Sequence, residues 1–220
     1  IRIDKPVMGL LPYDEQFSRL LSSLGINADT HLVAYDDEGG GCASRFIWTS
    51  HVFGHNNTSL LNGGLHSWAN EGHLLTREIP EKNTTDYSVT NTGKYTADRA
   101  HILQHLEDGR TCLLDARSLD EYTGKKKYAN RGGHIPGAKR YEWTDAMDRF
   151  NNLRLLPADT IQQQLDQLGI TKDREVIVYC QTHHRSAHTW FVLRHLGYPR
   201  VRGFPGSWSY WGNRPDLPVE

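Results

Sequence analysis

Seven successive residues, Cys180-Gln181-Thr182-His183-His184-Arg185-Ser186, set a thiol beside three side chains that can carry positive charge. They follow an apolar run, Val176 to Tyr179, and lead into a helical pattern from Ser186 to Leu196. A thiol at such a junction loses its proton easily, because free N–H groups at a helix N-terminus and nearby cations favour the thiolate. The N–H groups from Gln181 to Ser186 could also turn toward the sulfur as a nest that holds a charged adduct. The expected chemistry is nucleophilic. Cys180 and Arg185 are its catalytic candidates, and Gln181, Thr182, His183, His184 and Ser186 are its candidate substrate contacts.

The other two thiols lack this setting. Cys112 lies inside the strand-like TCLLD and Cys42 in a helical pattern, so both are expected to be inert and internal. Three cysteines without a CxxC fit neither a disulfide framework nor a zinc knuckle. His51/His55, His101/His105 and His184/His188 are i, i+4 pairs, but none brings an obvious third ligand. The expectation is no metal and no organic cofactor.

An internal repeat defines the elements that must position the loop. Leu24-Gly25-Ile26 recurs as Leu168-Gly169-Ile170, and His31 to Tyr35 as Glu175 to Tyr179, which aligns Asp36 with Cys180. Gly54, Gly63 and Trp68 match Gly197, Gly206 and Trp211 after a one-residue shift. Each copy predicts a helix ending at a glycine (Glu15 to Leu24; Thr160 to Leu168), a buried parallel strand (Leu32 to Tyr35; Val176 to Tyr179), a loop, and a second helix (Ala43 to Phe53; Ser186 to Leu196). The second copy adds a helix near Asp98 to Leu106, a strand Thr111 to Leu114 and the turn-rich Gly132 to Gly137. The counterpart of that last part would precede residue 1, so roughly 45 residues of the first unit are expected to be absent or processed away. The fold class is α/β in two units, residues 1–78 and 95–220, joined over the surface by the polar linker 79–94.

Composition narrows the function. The net charge is −1 and hydrophobic residues make up 37%, with a pI near 6.9, which excludes a globally basic nucleic-acid binder. No run of about 18 apolar residues offers a membrane span, and a cytoplasmic monomer is the default expectation. Between Arg117 and Arg140, seven basic residues face only Asp120 and Glu121, a patch that could concentrate small anions. Its Lys125-Lys126-Lys127 run is expected to be a solvated loop.

CQTHHRS after a strand, Asp115-Ala-Arg117, Gly133-His-Ile-Pro-Gly-Ala138 and Gly206-Ser-Trp-Ser-Tyr-Trp211 together resemble the catalytic domain of a tandem-domain rhodanese, a thiosulfate sulfurtransferase. The first copy, with Asp36-Asp-Glu-Gly-Gly-Gly41 and Asn62 to Trp68, resembles the inactive domain of that family. The resemblance implies two rhodanese-like domains and ping-pong transfer of sulfur from thiosulfate through a Cys180 persulfide to cyanide or a thiol, including a dithiol protein. It further implies that Arg117 contacts thiosulfate. The competing expectation for Arg117 is a salt bridge to Asp115 or Glu121. The carboxylates of the first loop would repel thiosulfate, so the first unit is expected to be inert and to cover one side of the pocket. Trp68 and Trp211 are expected in the core.

Two other readings compete. A cysteine-dependent phosphatase or arsenate reductase also uses a thiolate and an arginine, typically five residues apart in between, whereas four separate Cys180 from Arg185. A non-catalytic regulatory pair of rhodanese-like domains suits the inert first unit but not the retained Cys180 and Arg185.

Overall fold

The computed structural model describes residues 2–4 and 7–220. Its elements, in chain order, are β1 (Arg2–Asp4), β2 (Val7–Leu10), α1 (Asp14–Ser23), β3 (Leu32–Ala34), α2 (Gly41–Val52), β4 (Thr58–Leu60) and α3 (Gly64–Asn70) in the first unit. The second unit has α4 (Arg99–His105), β5 (Thr111–Asp115), α5 (Leu119–Tyr122), β6 (Lys139–Arg140), β7 (Met147–Asp148), β8 (Arg154–Leu155), α6 (Ala158–Gln167), β9 (Glu175–Tyr179), α7 (Arg185–His195), β10 (Val201–Gly203) and α8 (Ser207–Trp211). Every helix and strand expected from the repeat is present, within one or two residues of its expected ends.

A four-stranded parallel sheet, ordered β10-β9-β5-β6, organises the second unit. Alternation along β9 explains how it is covered on both faces. Val176 and Val178 point into a core shared with Phe17, Leu21, Trp48 and Val52 of the first unit, together with Trp190 and Leu193 of α7. Ile177 and Tyr179 point the other way, onto Leu113, Ile135, Trp208 and Trp211. The first unit carries a smaller parallel pair, β3 with β4, and an antiparallel β1–β2 hairpin. It joins the second largely through α2 packed on α7.

Three expectations need correction. The segment 79–94 has no regular secondary structure, yet it is more than a surface linker. The Thr85, Tyr87 and Val89 N–H groups donate to Ser22 O, Ser22 Oγ and Ser18 Oγ on α1, and Val89 is buried. Trp68 is exposed and donates its indole N–H to Leu74 O, whereas Trp211 is fully buried as expected. Cys42 is exposed rather than internal, because it lies on the open side of the first turn of α2. Cys112 is buried.

Candidate active site

β9 is an inner strand, so the loop that leaves its carboxyl end stands where α/β sheets present ligand sites. Cys180 begins that loop and has no exposed surface. Its N–H donates to Ser207 Oγ at 3.3 Å, and its carbonyl accepts from the Trp208 N–H at 2.9 Å, so α8 fixes the backbone at the nucleophile. Beyond it, none of the N–H groups of Gln181 to Ser186 is taken by an acceptor among the described residues. That is the donor array a sulfur anion needs.

The loop's side chains divide between two directions. His183 adopts a left-handed backbone, φ 55°, and turns its ring inward, edge-on to Trp48 at 4.2 Å, with Nδ1 bonded to the buried Ser186 Oγ at 2.7 Å. Burial, aided by Arg45 and His184, holds its pKa well below the ordinary histidine value. His183 is therefore neutral and cannot supply the cation expected of it. His183 and Ser186 brace the loop from inside and do not reach substrate space. Gln181, Thr182 and Arg185 line an open cleft of about 610 Å³ with Met8, Ser118, Glu121, Lys126, Tyr128, Ser209 and Asn213. His184 faces away from this cleft, toward Glu38 at 2.7 Å.

Arg185 is not a free charge. It pairs through both terminal nitrogens with the buried Glu121 carboxylate, at 2.7 and 2.8 Å. Burial alone would raise the Glu121 pKa, but the bonds and charge of Arg185 outweigh it and bring it to about 2. Glu121 is itself held at the start of α5 by a reciprocal cap with Ser118.

Arg45, on α2 of the first unit, has no carboxylate partner among the described residues. It is 2% exposed, and its Nη1 donates to His183 O at 2.8 Å and Thr182 O at 3.3 Å while Nη2 donates to Gly9 O. Burial lowers its pKa to about 10, opposed by the charge of Cys180, so it stays protonated at neutral pH. Arg45 thus grips the Cys180 loop through its carbonyls and brings a buried positive charge to it. The sequence held one signal for it: a lone arginine in a helix buried on most sides, GCASRFIWTSHV.

Arg117 does not contact the cleft. Its guanidinium is buried and bonded to Asp115, with Nη2 at 2.6 Å and Nε at 2.9 and 3.0 Å from the carboxylate oxygens, and to Gly133 O at 2.8 Å. The competing salt-bridge expectation describes it, because Asp115 ends β5 two residues earlier and reaches it before any ligand can. Lys126 is exposed in a loop, as expected, and from there it also lines the cleft. Of the histidine pairs, His101 bonds Glu175 and His105 bonds Asp108, His51 bonds Thr58 and His55 bonds Tyr87.

A buried thiol followed by a run of unbonded amides, at the end of an inner parallel strand in the second of two like units, is the setting expected of a duplicated α/β sulfurtransferase. The Rhodanese-like domain family matches residues 2–71 and 98–214. The chain is 46% identical over 215 residues to the thiosulfate sulfurtransferase of Azotobacter vinelandii, covering 98% of this chain and 79% of that protein. It is 36% identical over 227 residues to the sulfur carrier protein TtuD of Thermus thermophilus, covering 97% of this chain and 79% of that protein. Its fold superposes with a TM-score of 0.89, at 24% identity, on the anaerobic ergothioneine biosynthesis enzyme of Chlorobium limicola, over 99% of this chain and 57% of that one. The chain belongs to the rhodanese family and is a sulfurtransferase of the rhodanese type. No helix among the described residues is long and apolar enough to cross a membrane.

Proposed function

We propose that the second unit, residues 95–220, moves sulfane sulfur from thiosulfate to cyanide or a thiol through a persulfide on Cys180. The observation that carries this reading is the set of N–H groups from Gln181 to Ser186 left without an acceptor beside a buried thiol. The Cys180 thiolate attacks the outer sulfur of thiosulfate, a sulfur–sulfur bond forms, and the thiosulfate bond breaks with its electron pair leaving on sulfite. An acceptor nucleophile then takes the terminal sulfur and the bonding electrons return to Cys180. Both resting thiolate and loaded persulfide are anions, so the amides and Arg45 stabilise the two states alike. Lys126 and the side chains of Gln181 and Thr182 meet the incoming anion in the cleft, and Arg185 shapes it from within its pair with Glu121. The first unit, residues 1–78, serves as the wall that carries Arg45. A small dithiol protein as acceptor, a monomeric state and a cytoplasmic site complete the proposal.

Intact mass after brief thiosulfate treatment tests it. The reduced protein should gain one sulfur atom, lose it on adding cyanide, and gain none as Cys180→Ser, while Cys42→Ser and Cys112→Ser load normally. No gain in folded protein, or loss of loading only in Cys42→Ser, would overturn the assignment.

A further inference from the structure

Beside the catalytic loop, but outside its cleft, three donor atoms from the two units converge. Glu38 Oε1 lies 2.7 Å from His184 Nε2, Cys42 Sγ lies 3.4 Å from the same nitrogen, and all three atoms fall within 4.8 Å of one another. Each is placed by the fold. Glu38 folds back over the start of α2, where its Oε1 accepts the Cys42 N–H at 2.8 Å. A Cβ at Gly41 would stand 2.5 Å from that oxygen and 2.8 Å from the Trp143 ring, so glycine there keeps the carboxylate's seat open. Cys42 is exposed, and with His184 it lines an open cavity of about 620 Å³ along α1, which gives an ion a route in.

The spacing and the chemistry suit one class of ligand. Tetrahedral zinc, with bonds of about 2.0–2.3 Å, holds its ligand atoms about 3.3–3.6 Å apart. The sulfur–nitrogen separation already has that value, and the oxygen–nitrogen separation is shorter by a fraction of an ångström. A thiol, an imidazole and a single carboxylate favour a borderline divalent ion over Ca2+ or Mg2+, which take oxygen ligands.

We propose that Glu38, Cys42 and His184 form a binding site for a divalent cation of the zinc class, with water completing the coordination. The site pins the inert loop to the catalytic one through His184. No single helix holds these ligands: His184 stands 146 residues from Glu38 and 142 from Cys42, so the site exists only across the two units. The proposal stands apart from the persulfide chemistry and is tested without it.

The experiment titrates Co2+ alone into the full chain carrying Cys180→Ser, which removes the other candidate thiolate. One equivalent should produce a thiolate-to-cobalt charge-transfer band, displaced by Zn2+. Adding Cys42→Ser should abolish the band, and adding Glu38→Gln should weaken binding by at least about tenfold, with the far-UV circular dichroism unchanged in both. Absence of the band in folded Cys180→Ser, its survival in Cys180→Ser/Cys42→Ser, or unaltered affinity in Cys180→Ser/Glu38→Gln would each overturn the site.

Discussion

The two strand-to-helix loops of this chain differ in what their backbone amides hold. After β3, the Asp36 carboxylate accepts the N–H groups of Glu38, Gly40 and Ala43 at 3.1, 2.7 and 2.9 Å. After β9, Cys180 stands at the aligned position and the amides of Gln181 to Ser186 have no acceptor among the described residues. The first loop carries its anion as a side chain, and the second leaves its donors open, as the proposed sulfur anion on Cys180 requires. Even the turn is shared, since Gly39, φ 90°, aligns with His183, φ 55°. A left-handed non-glycine residue costs about 1–2 kcal/mol, and His183 offsets this with its ring against Trp48 and its bond to Ser186.

The largest test of this contrast removes the pair behind the catalytic loop. Arg185→Ala leaves Glu121 buried without a counterion and should cost about 3–5 kcal/mol, read as a lower denaturant midpoint. Arg185→Ala/Glu121→Ala should recover most of that stability. A single variant as stable as the parent would show that the pair is not holding the loop. Next comes the charge lent by the first unit. Arg45→Met should slow Cys180 alkylation near neutral pH, because losing a nearby cation disfavours the thiolate, with Arg45→Lys restoring much of the rate. The measurement is the pH profile of Cys180 alkylation, and an unmoved profile in Arg45→Met would remove Arg45 from the site.

Asp36→Ala sharpens the comparison from the other side. It frees three amides at once and should cost about 1–3 kcal/mol while leaving sulfur loading intact, with sulfate restoring part of the lost melting temperature. No change in melting temperature would mean that water replaces the carboxylate without loss. The remaining test is a pH slope. Burial holds His188 down to about 4 and His183 well below its ordinary value, so below pH 6.5 the unfolded chain binds protons that the native one refuses. Stability should fall from pH 6.5 toward pH 4, by up to about 1.4 kcal/mol per pH unit for each histidine. Glu121 adds its own loss only as pH falls from 4.5 toward 2. His188→Asn should remove about one proton from the slope between pH 6.5 and 5, and an unchanged slope would refute the assignment.

The repeat made the elements legible, because periodicity and glycine stops depend on neighbours along the chain. It also marked Cys180 and the contrast with Asp36. What it hid were contacts across the two units. Arg45 reaches loop carbonyls 137 and 138 residues away, and the apolar run of its helix marks it as buried without naming those partners. Arg185 read as a free cation because Glu121, its partner, belongs to a different helix 64 residues earlier. Arg117 misled in the opposite way, since its nearest neighbour in sequence, Asp115, had already claimed it. Lys126 and Cys42 show the same limit: a charge run or a lone thiol does not reveal which face of a fold it will meet.

The grip of α2 on the catalytic loop bears on how such a protein can be taken apart. Two loop carbonyls bonded by one buried guanidinium, and a β2 glycine whose added Cβ would collide with Thr182 O, mean that the Cys180 loop is completed by residues of the first unit. The two halves are therefore not interchangeable modules. A catalytic unit swapped onto a relative's first unit would keep its thiol and its sheet, but it would need an arginine at the same turn of the neighbouring helix and a glycine at the same point of the hairpin before its loop could close.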